Sequence, residues 1–323
     1  MAKRLSCLIV DAGPANYMKP VFARWLAEPP PFEWSLLLGE KASAVLGDLA
    51  GLSDYVVKIV ARDGPLGPIC ADAILSSAGG WPIERAIVHA ARDAEVPSAQ
   101  FLDNCYNYAR RFTYDDVRSL PDNVYFVTEE SIREALAEDI PVALAIVIGH
   151  PSWEQRSLEG PPKCHDVLFI GAPVERDYGR SLGYTERDAW ELLVDTLKSM
   201  EAWQGRLFYA PHPEQTPDSI PEDADILKFD HRMLAKIETV AGMFSAPLVD
   251  AYLAGRKCLS LQPDSTGRDM FFLSRQGFLP RIRDQRQLTA ALNAPPTDPG
   301  GLGDKLKGSR ERLNNHLQEM LAA

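Results

Sequence analysis

Short apolar runs alternate with helical patterns along almost the whole chain, and this alternation constrains the fold more than any other feature. In the first half each run ends in a polar turn and is followed by a helical pattern. Such alternation predicts a parallel sheet covered by helices on both faces. The strands predicted for this half are Ser6–Val10, Trp34–Leu38, Tyr55–Val60, Ala71–Leu75, Ala99–Leu102, Asn123–Val127 and Ala143–Ile148.

A polar segment, residues 152–163, interrupts this alternation and contains Gly160, Pro161 and Pro162. Because glycine and proline together disfavour helix and strand, this segment is the best candidate for a linker. A chain of 323 residues is long enough for two domains, which we place at residues 1–155 and 156–323. In the second half we predict strands Val167–Ile170, Leu207–Ala210, Asp225–Phe229, Val240–Phe244 and Cys258–Leu261, and a final helix Leu302–Leu321.

The composition excludes several classes of protein. A net charge of −11 argues against broad nucleic-acid binding, although loop amides and helix N-termini can still hold a small anion. The five cysteines are scattered and form no Cys-x-x-Cys pair, which argues against a disulfide scaffold or a structural zinc site. No apolar run is long enough for a membrane span, and the run Leu5–Val10 is too short for a signal peptide, so we expect a cytoplasmic protein.

Residues 206–214, with the sequence RLFYAPHPE, contain the strongest candidate for a functional side chain. The apolar run Leu207–Ala210 predicts a buried strand, and Pro211 and Pro213 end it because proline cannot extend a strand ladder. His212 is therefore expected on a stiff loop at the carboxyl end of a strand, where open α/β sheets bind ligands. The alternative is a histidine that caps a turn, and the local sequence does not separate the two.

A second candidate is Ser245, which precedes a predicted helix that runs through Leu253. A serine N-cap with Pro247 close behind it is a good helix start, and this accounts for the residue without any ligand. In the functional interpretation, the hydroxyl and the N–H groups of the first helical turn meet a phosphate.

Three turns of the first half each follow an apolar strand: residues 11–13, 76–80 and 103–104. In a doubly wound sheet such turns lie along one edge, so Asp11 and Asp103 are expected there. The turn Ser76–Gly80 could bring backbone N–H groups to an anion, but it lacks the spacing and the lysine of a P-loop. The alternative is a tight turn between strand and helix.

Residues 104–112 combine three aromatic side chains with Arg110 and Arg111. Aromatic faces suit sugar rings, and arginine suits a carboxylate or a phosphate. The alternative is an aromatic-rich loop that packs on the sheet, and the two interpretations remain open.

Two α/β halves, a proline-containing join and a closing C-terminal helix resemble the twin-Rossmann GT-B architecture of glycosyltransferases. Residues 209–214, YAPHPE, resemble the His-Pro motif of bacterial sialyltransferases and related capsule-type transferases, and residues 244–255, FSAPLVDAYLAG, resemble their serine motif. The resemblance implies two Rossmann-like domains with mostly parallel sheets and a cleft between them. The first domain would be on the acceptor side and the second would bind a nucleotide sugar. UDP-sugar 2-epimerases share this architecture.

The resemblance also implies which residues contact the donor. In those families the histidine and the serine contact the phosphate of a nucleotide-activated sugar. His212 therefore takes a catalytic role at the departing phosphate. Donor contacts are expected at His212 and Pro213, at Ser245 and Ala246, and at the strand-end Gly171.

An acidic residue of the first domain is the base in those families. By resemblance Asp11 is the candidate base here, with Asp103 as the next choice. The chain departs from the acidic motif at Ala12, where the families have a second acid, and it has Ala246 where a hydroxyl residue often follows the serine.

The sequence as a whole favours a glycosyltransferase that moves a sugar from a CMP- or UDP-linked donor to a glycan or another hydroxyl acceptor. We expect an inverting, metal-independent reaction without a further cofactor, since Asp223-Ala-Asp225 lies in a polar segment rather than at a strand end. No nucleic-acid partner is expected, and peripheral contact with a membrane-bound glycan assembly is left open. Two alternatives remain: a sugar-nucleotide 2-epimerase or hydrolase, and a non-catalytic sugar-nucleotide-binding protein of glycan assembly.

Overall fold

The computed structural model describes residues 2–154, 160, 164–222 and 224–323. Its contacts divide the chain into two compact units. The first unit comprises Met1–Gln155 and Lys305–Ala323, and the second comprises Arg156–Asp304. Within the described residues, no helix combines the length and the apolar character that a bilayer crossing requires.

The first unit is built on a parallel sheet with the strand order β3-β2-β1-β4-β5-β8-β9. A short antiparallel hairpin, β6-β7, which the sequence did not predict, lies apart from it. The strands of this unit are β1 (Arg4–Ile9), β2 (Glu33–Gly39), β3 (Val56–Val60), β4 (Ala73–Ser77), β5 (Ser98–Phe101), β6 (Thr113–Tyr114), β7 (Val117–Arg118), β8 (Asn123–Phe126) and β9 (Ala145–Val147).

Helices cover both faces of this sheet, as the continuous apolar strands predict. Leu5, Cys7 and Ile9 of β1 lie in one buried cluster with residues of the first helix, whereas Leu8 and the following Val10 lie in a second cluster. The helices are α1 (Ala12–Ala27), α2 (Glu40–Leu46), α3 (Pro82–Asp93), α4 (Tyr108–Arg111), α5 (Glu129–Leu136) and α6 (Pro151–Glu154), with 3-10 turns at Leu52–Tyr55 and Val142–Leu144.

The second unit has a parallel sheet with the strand order β12-β11-β10-β13-β14-β15. Its strands are β10 (Val167–Ile170), β11 (Leu207–Ala210), β12 (Asp225–Ile226), β13 (Thr239–Gly242), β14 (Lys257–Leu261) and β15 (Arg281–Ile282). Its helices are α7 (Val174–Tyr178), α8 (Glu186–Ser199), α9 (Ala246–Leu253), α10 (Phe272–Arg275), α11 (Gln285–Asn293) and α12 (Gly300–Leu306), with 3-10 turns at Pro217–Ser219 and His231–Ala235. The prediction of two Rossmann-like domains with mostly parallel sheets is therefore confirmed.

The last helix, α13 (Ser309–Ala322), differs from the prediction in two ways. The predicted helix Leu302–Leu321 is divided at Gly308, whose φ of +82° cannot continue a right-handed helix. The predicted second domain also included residues 305–323, but they belong to the first unit. The reason is hydrophobic packing, because Leu313 and Leu317 are fully buried in the same cluster as β1.

Two further predictions need comment. The predicted strand Asp225–Phe229 is shorter, since only Asp225 and Ile226 pair with β11. The predicted linker, residues 152–163, begins within α6, and its residues 155–159 and 161–163 lie outside the described residues, as does Asp223.

Candidate functional site

The second unit brings three of the predicted donor residues to one edge of its sheet. The chain leaves β10 towards β11 on one side, whereas β13 lies on the other side of β10. This reversal of strand order opens a crevice at the carboxyl ends of β10 and β13, which is where doubly wound sheets bind ligands. Gly171 follows β10, Ser245 follows β13, and His212 follows the neighbouring β11.

Ser245 is the N-cap of α9, but its side chain does not cap the helix. Its backbone is extended, with φ −79° and ψ 154°, and the hydroxyl makes no capping hydrogen bond. The Oγ atom is buried and has no hydrogen-bond partner among the described residues. Leaving a buried hydroxyl unsatisfied costs about 1–3 kcal/mol, a cost that a hydrogen-bonding ligand would remove. Ala246 begins α9 and is exposed.

His212 lies in a short turn, Pro211–Gln215, which we call the His212 turn. The backbone N–H of Glu214 donates to His212 Nδ1 over 3.2 Å. A ring nitrogen that accepts from an N–H carries no proton, so the neutral imidazole has its proton on Nε2. This turn stands where the sequence predicted a stiff loop from the two flanking prolines. Of the two, Pro213 is exposed.

Gly171 has a packing role that the sequence did not reveal. A Cβ atom added there would lie 2.2 Å from Gln215 Oε1 and 2.7 Å from Tyr209 Oη. Glycine is therefore required for these two side chains to meet above the end of β10. Its predicted contact with the donor stays a prediction.

Arg176, on α7, lies beside the His212 turn. Its guanidinium donates to the backbone oxygen of Glu214 over 3.1 Å and to Glu214 Oε2 over 2.9 Å. A cavity of about 250 Å³ opens at this point and is lined in part by Arg176, Gln215 and Thr216. Arg176 belongs to none of the motifs that the sequence indicated, and nothing in its spacing to Glu214 signals the pair.

The first unit shows the corresponding reversal of strand order between β1 and β4. Asp11 follows β1, the turn Ala78–Trp81 follows β4, and Asp103 follows the neighbouring β5. These positions agree with the expectation that the three turns share one edge of the sheet.

Asp11 is held by two neighbours that lie far away in the sequence. Arg62 donates through Nη2 to Asp11 Oδ1, and the indole N–H of Trp81 donates to Asp11 Oδ2 over 2.6 Å. The guanidinium of Arg62 also lies 3.9 Å from the centroid of the Trp81 ring, a cation–π distance. Both oxygens of the predicted base therefore have a partner already.

Asp103 forms a mostly buried ion pair with Arg111 at 2.8 Å, and the two side chains are 16% and 13% exposed, respectively. Arg111 also donates to the carbonyl of Ala78 over 2.9 Å. A Cβ added to Gly13 would lie 2.2 Å from Asp103 Oδ2, so this carboxylate sits against the first turn of α1. Negative charge is favourable at that end of a helix.

Glu84 is the functional candidate that the sequence analysis missed. Its carboxyl is buried, accepts from Gly79 N over 2.7 Å and from Trp81 N over 3.1 Å, and lies 2.5 Å from Ser77 Oγ. Burial is the main reason that the pKa of Glu84 is raised to about 7; the nearby charge of Asp11 contributes to the rise, and the hydrogen bonds from Ser77, Trp81 and Gly79 oppose it. The available signal was weak: Glu84 stands three residues after the Trp81 N-cap, the acidic position of a capping box, which indicates a helix start but not burial.

The aromatic segment 104–112 is largely packed in the core. Tyr108 and Phe112 are buried, and Arg111 is engaged by Asp103. These contacts favour the packing alternative for those three residues, whereas Arg110 is exposed. Within the described residues, no group of three or more His, Cys, Asp or Glu side chains is arranged to hold a metal ion.

No protein-family model and no curated protein matches the sequence. Solved structures do match over nearly the full chain. The S. aureus MnaA–UDP complex has 12% identity and a TM-score of 0.66, covering 99% of this chain and 97% of its own. The Neisseria meningitidis UDP-GlcNAc 2-epimerase bound to UDP-GlcNAc has 12% identity and a TM-score of 0.64, and the match covers 98% of this chain and 100% of that one. Arabidopsis thaliana UGT89C1 complexed with UDP-L-rhamnose has 12% identity and a TM-score of 0.60, and the match covers 99% of each chain.

At such low identity, this likeness shows the fold alone. It agrees with the GT-B-like architecture expected from the sequence, in which two Rossmann-like units follow each other along the chain. None of the three structures described above is named as a sialyltransferase or a capsule-type transferase. Those are the families whose motifs suggested the site residues.

Proposed function

We propose that the protein is a glycosyltransferase that uses a nucleotide-activated sugar, CMP- or UDP-linked, and a glycan or other hydroxyl acceptor. The observation that carries the proposal is the buried Ser245 hydroxyl, which has no partner among the residues that the structure describes and lies at the N-terminus of α9, at the strand reversal of the second unit. A phosphate of the donor supplies the partner that this hydroxyl needs. The three similar structures described above were determined with UDP, UDP-GlcNAc and UDP-L-rhamnose.

The chemistry of the second unit suits a departing nucleotide phosphate. The N-terminus of α9 carries partial positive charge, and Ser245 and Ala246 lie at this end. The neutral ring of His212 carries its proton on Nε2, and β11, which His212 follows, is separated from β13 by β10 alone. Hydrogen-bond donors fixed in place before the reaction stabilise the charge that develops on a leaving phosphate. The proposed mechanism is metal-independent because these groups meet the charge.

The proposal assigns the base to the first unit. An inverting transfer needs one group to take the acceptor proton. Asp11 is our first choice; each of its oxygens accepts one hydrogen bond, from Arg62 or from the Trp81 N–H, and keeps a second lone pair for the acceptor proton. Asp103 is the alternative, and its pair with Arg111 likewise leaves lone pairs for a proton.

A second candidate function is a sugar-nucleotide 2-epimerase or hydrolase. The observation in its favour is the name of the Neisseria meningitidis neighbour, a UDP-GlcNAc 2-epimerase that matches the whole chain as well as UGT89C1 does. Such an enzyme needs the same nucleotide site but no acceptor. Binding without turnover would leave the third possibility, a sugar-nucleotide-binding protein.

The deciding experiment is incubation with a panel of CMP- and UDP-sugars, with and without hydroxyl acceptors, while free nucleotide and sugar isomers are measured. Acceptor-dependent nucleotide release supports the transferase, whereas nucleotide or isomerised sugar without acceptor supports the second candidate. His212→Ala should abolish most of the turnover with little loss of stability. The control His165→Ala, an exposed histidine of the same unit, should behave like the wild type. Equal turnover in both variants would remove His212 from the site.

A further inference from the structure

Gln215 holds the main chain of His212 at both ends. Its side-chain Oε1 accepts from the backbone N–H of His212 over 2.8 Å, and its own N–H donates to the His212 carbonyl over 2.9 Å. Both backbone groups of one histidine are thus bound by one residue three positions later. With the Glu214 N–H on Nδ1, this leaves the imidazole little freedom to turn.

The amide of Gln215 can have only one orientation. The His212 N–H requires an acceptor, so Oε1 must face it, and Nε2 is then the atom that donates to Tyr209 Oη over 2.9 Å. Burial raises the pKa of Tyr209 to about 12, so its phenol stays neutral at physiological pH. The orientation follows from the partners and needs no further assumption.

Tyr209 is a rigid anchor for this amide. Its side chain is completely buried in β11, stacks on Phe169 at 5.3 Å between ring centroids, and meets the edge of Trp190 at 5.2 Å. Gly171 supplies the space, because any Cβ there would overlap Gln215 Oε1. The buried phenol of Tyr209 therefore fixes the Gln215 amide, and the amide in turn fixes the His212 turn.

We propose that Gln215, anchored by Tyr209, is the positioning residue that orients His212 and holds its neutral ring in the Nε2–H form. This inference rests on the proposed role of His212 at the donor phosphate. A ring held in this form has its proton on Nε2, so this nitrogen is the hydrogen-bond donor towards an anion, and its orientation is fixed before the anion arrives. Gln215 itself does not contact the reacting atoms in this account.

The first test needs no ligand. In protein labelled with ¹⁵N-histidine, long-range ¹H–¹⁵N spectra report which ring nitrogen of His212 carries the proton. The wild type should show the Nε2–H form, and Gln215→Leu should shift the Nδ1 resonance and populate the Nδ1–H form. Tyr209→Phe, which keeps the ring and loses only the hydroxyl, should shift it in the same direction by less. Gln285→Leu, an exposed glutamine of the same unit, should leave it unchanged. An unchanged His212 spectrum in folded Gln215→Leu would overturn the proposal.

The second test uses calorimetry with UDP and CMP. Losing one hydrogen bond that orders the site should weaken nucleotide binding about tenfold in Gln215→Leu, with wild-type affinity in Gln285→Leu. Nucleotide affinity equal to the wild type in Gln215→Leu would contradict the positioning role. If the wild type binds neither nucleotide, the donor-site proposal fails, while the spectra of His212 still decide whether Gln215 positions it.

Discussion

The carboxyl edges of the two sheets differ in how their polar side chains are satisfied. At the strand reversal of the first unit, Asp11, Glu84 and Asp103, here called the carboxylate cluster, all accept hydrogen bonds from neighbouring protein groups. At the strand reversal of the second unit, the Ser245 hydroxyl is buried and finds no hydrogen-bond partner in the described part of the chain. The same topology thus carries carboxyl groups with protein partners in one unit and, within the described residues, an unsatisfied hydroxyl in the other.

This difference suggests different tasks for the two edges. Carboxylates that are held in place by protein donors keep further lone pairs, which suits a base that receives a proton during a reaction. An unsatisfied donor at a helix N-terminus suits an anion that arrives from solution. The comparison also predicts opposite responses to mutation: removing a partner in the first unit should cost stability, whereas removing Ser245 Oγ should cost binding.

The largest effect is expected for Arg111→Leu. The pair with Asp103 is mostly buried, and removing one partner leaves a buried charge uncompensated, which should lower the free energy of unfolding by about 3 kcal/mol. Denaturant unfolding of the purified variant measures this. Arg232→Leu is the control, since its pair with Asp230 is exposed and its loss should leave stability unchanged. An equal free energy of unfolding in both variants would mean that the Asp103–Arg111 pair does not stabilise the carboxylate cluster.

The next effect concerns the rate of the proposed reaction. Asp11→Asn keeps an oxygen for one of its two hydrogen bonds but cannot take a proton. If Asp11 is the base, single-turnover transfer should slow roughly a hundredfold while the variant stays folded and binds nucleotide normally. An unchanged rate would transfer the role to Asp103.

Glu84→Gln should remove a pH dependence of stability. The pKa of Glu84 is raised in the folded state, from 4.5 to about 7, so the folded protein keeps a proton that the unfolded chain has released. Wild-type stability should therefore fall by on the order of 2 kcal/mol between about pH 5 and pH 7 because of this group.

Glutamine mimics the protonated form of Glu84. Its oxygen can accept from Gly79 N and Trp81 N, and its amide can donate to Ser77 Oγ. The stability of Glu84→Gln relative to the wild type should rise as the pH increases across this range, as thermal unfolding at several pH values would show. Parallel pH curves for the two proteins would contradict a raised pKa.

The strand pattern alone predicted both sheets, because parallel strands buried on both faces are nearly continuous apolar runs. It also placed Asp11, Asp103, His212 and Ser245 at strand ends, since a strand end is visible in the sequence.

What the sequence could not predict are partners that depend on long-range contacts. Arg62 and Trp81 lie 51 and 70 positions after Asp11 in the sequence, and neither spacing carries a local signal. Gln215 was missed for another reason: its role depends on the amide reaching Tyr209, which no periodicity reveals. The placement of α13 with the first unit followed from burial of Leu313 and Leu317, whose helical spacing indicates an apolar face but not which core it covers.

The smallest effect separates two N-cap residues of the second unit and tests the comparison most directly. Thr185 caps α8 by accepting from the N–H of Asp188, whereas the Ser245 side chain makes no such bond to α9. Thr185→Ala should therefore lower the free energy of unfolding by about 1 kcal/mol.

Ser245→Ala should leave the free energy of unfolding unchanged or raise it slightly, because it removes a buried hydroxyl that gains nothing from the protein. In the presence of UDP or CMP the order of the two effects should reverse. Ser245→Ala should lose most of the rise in melting temperature that the nucleotide provides, while Thr185→Ala should keep it. The reason is that only binding to the folded state raises the melting temperature. A loss of stability in ligand-free Ser245→Ala as large as that in Thr185→Ala would show that the hydroxyl serves the helix. The contrast between the two strand reversals would then disappear, and with it the main argument for an anion at α9.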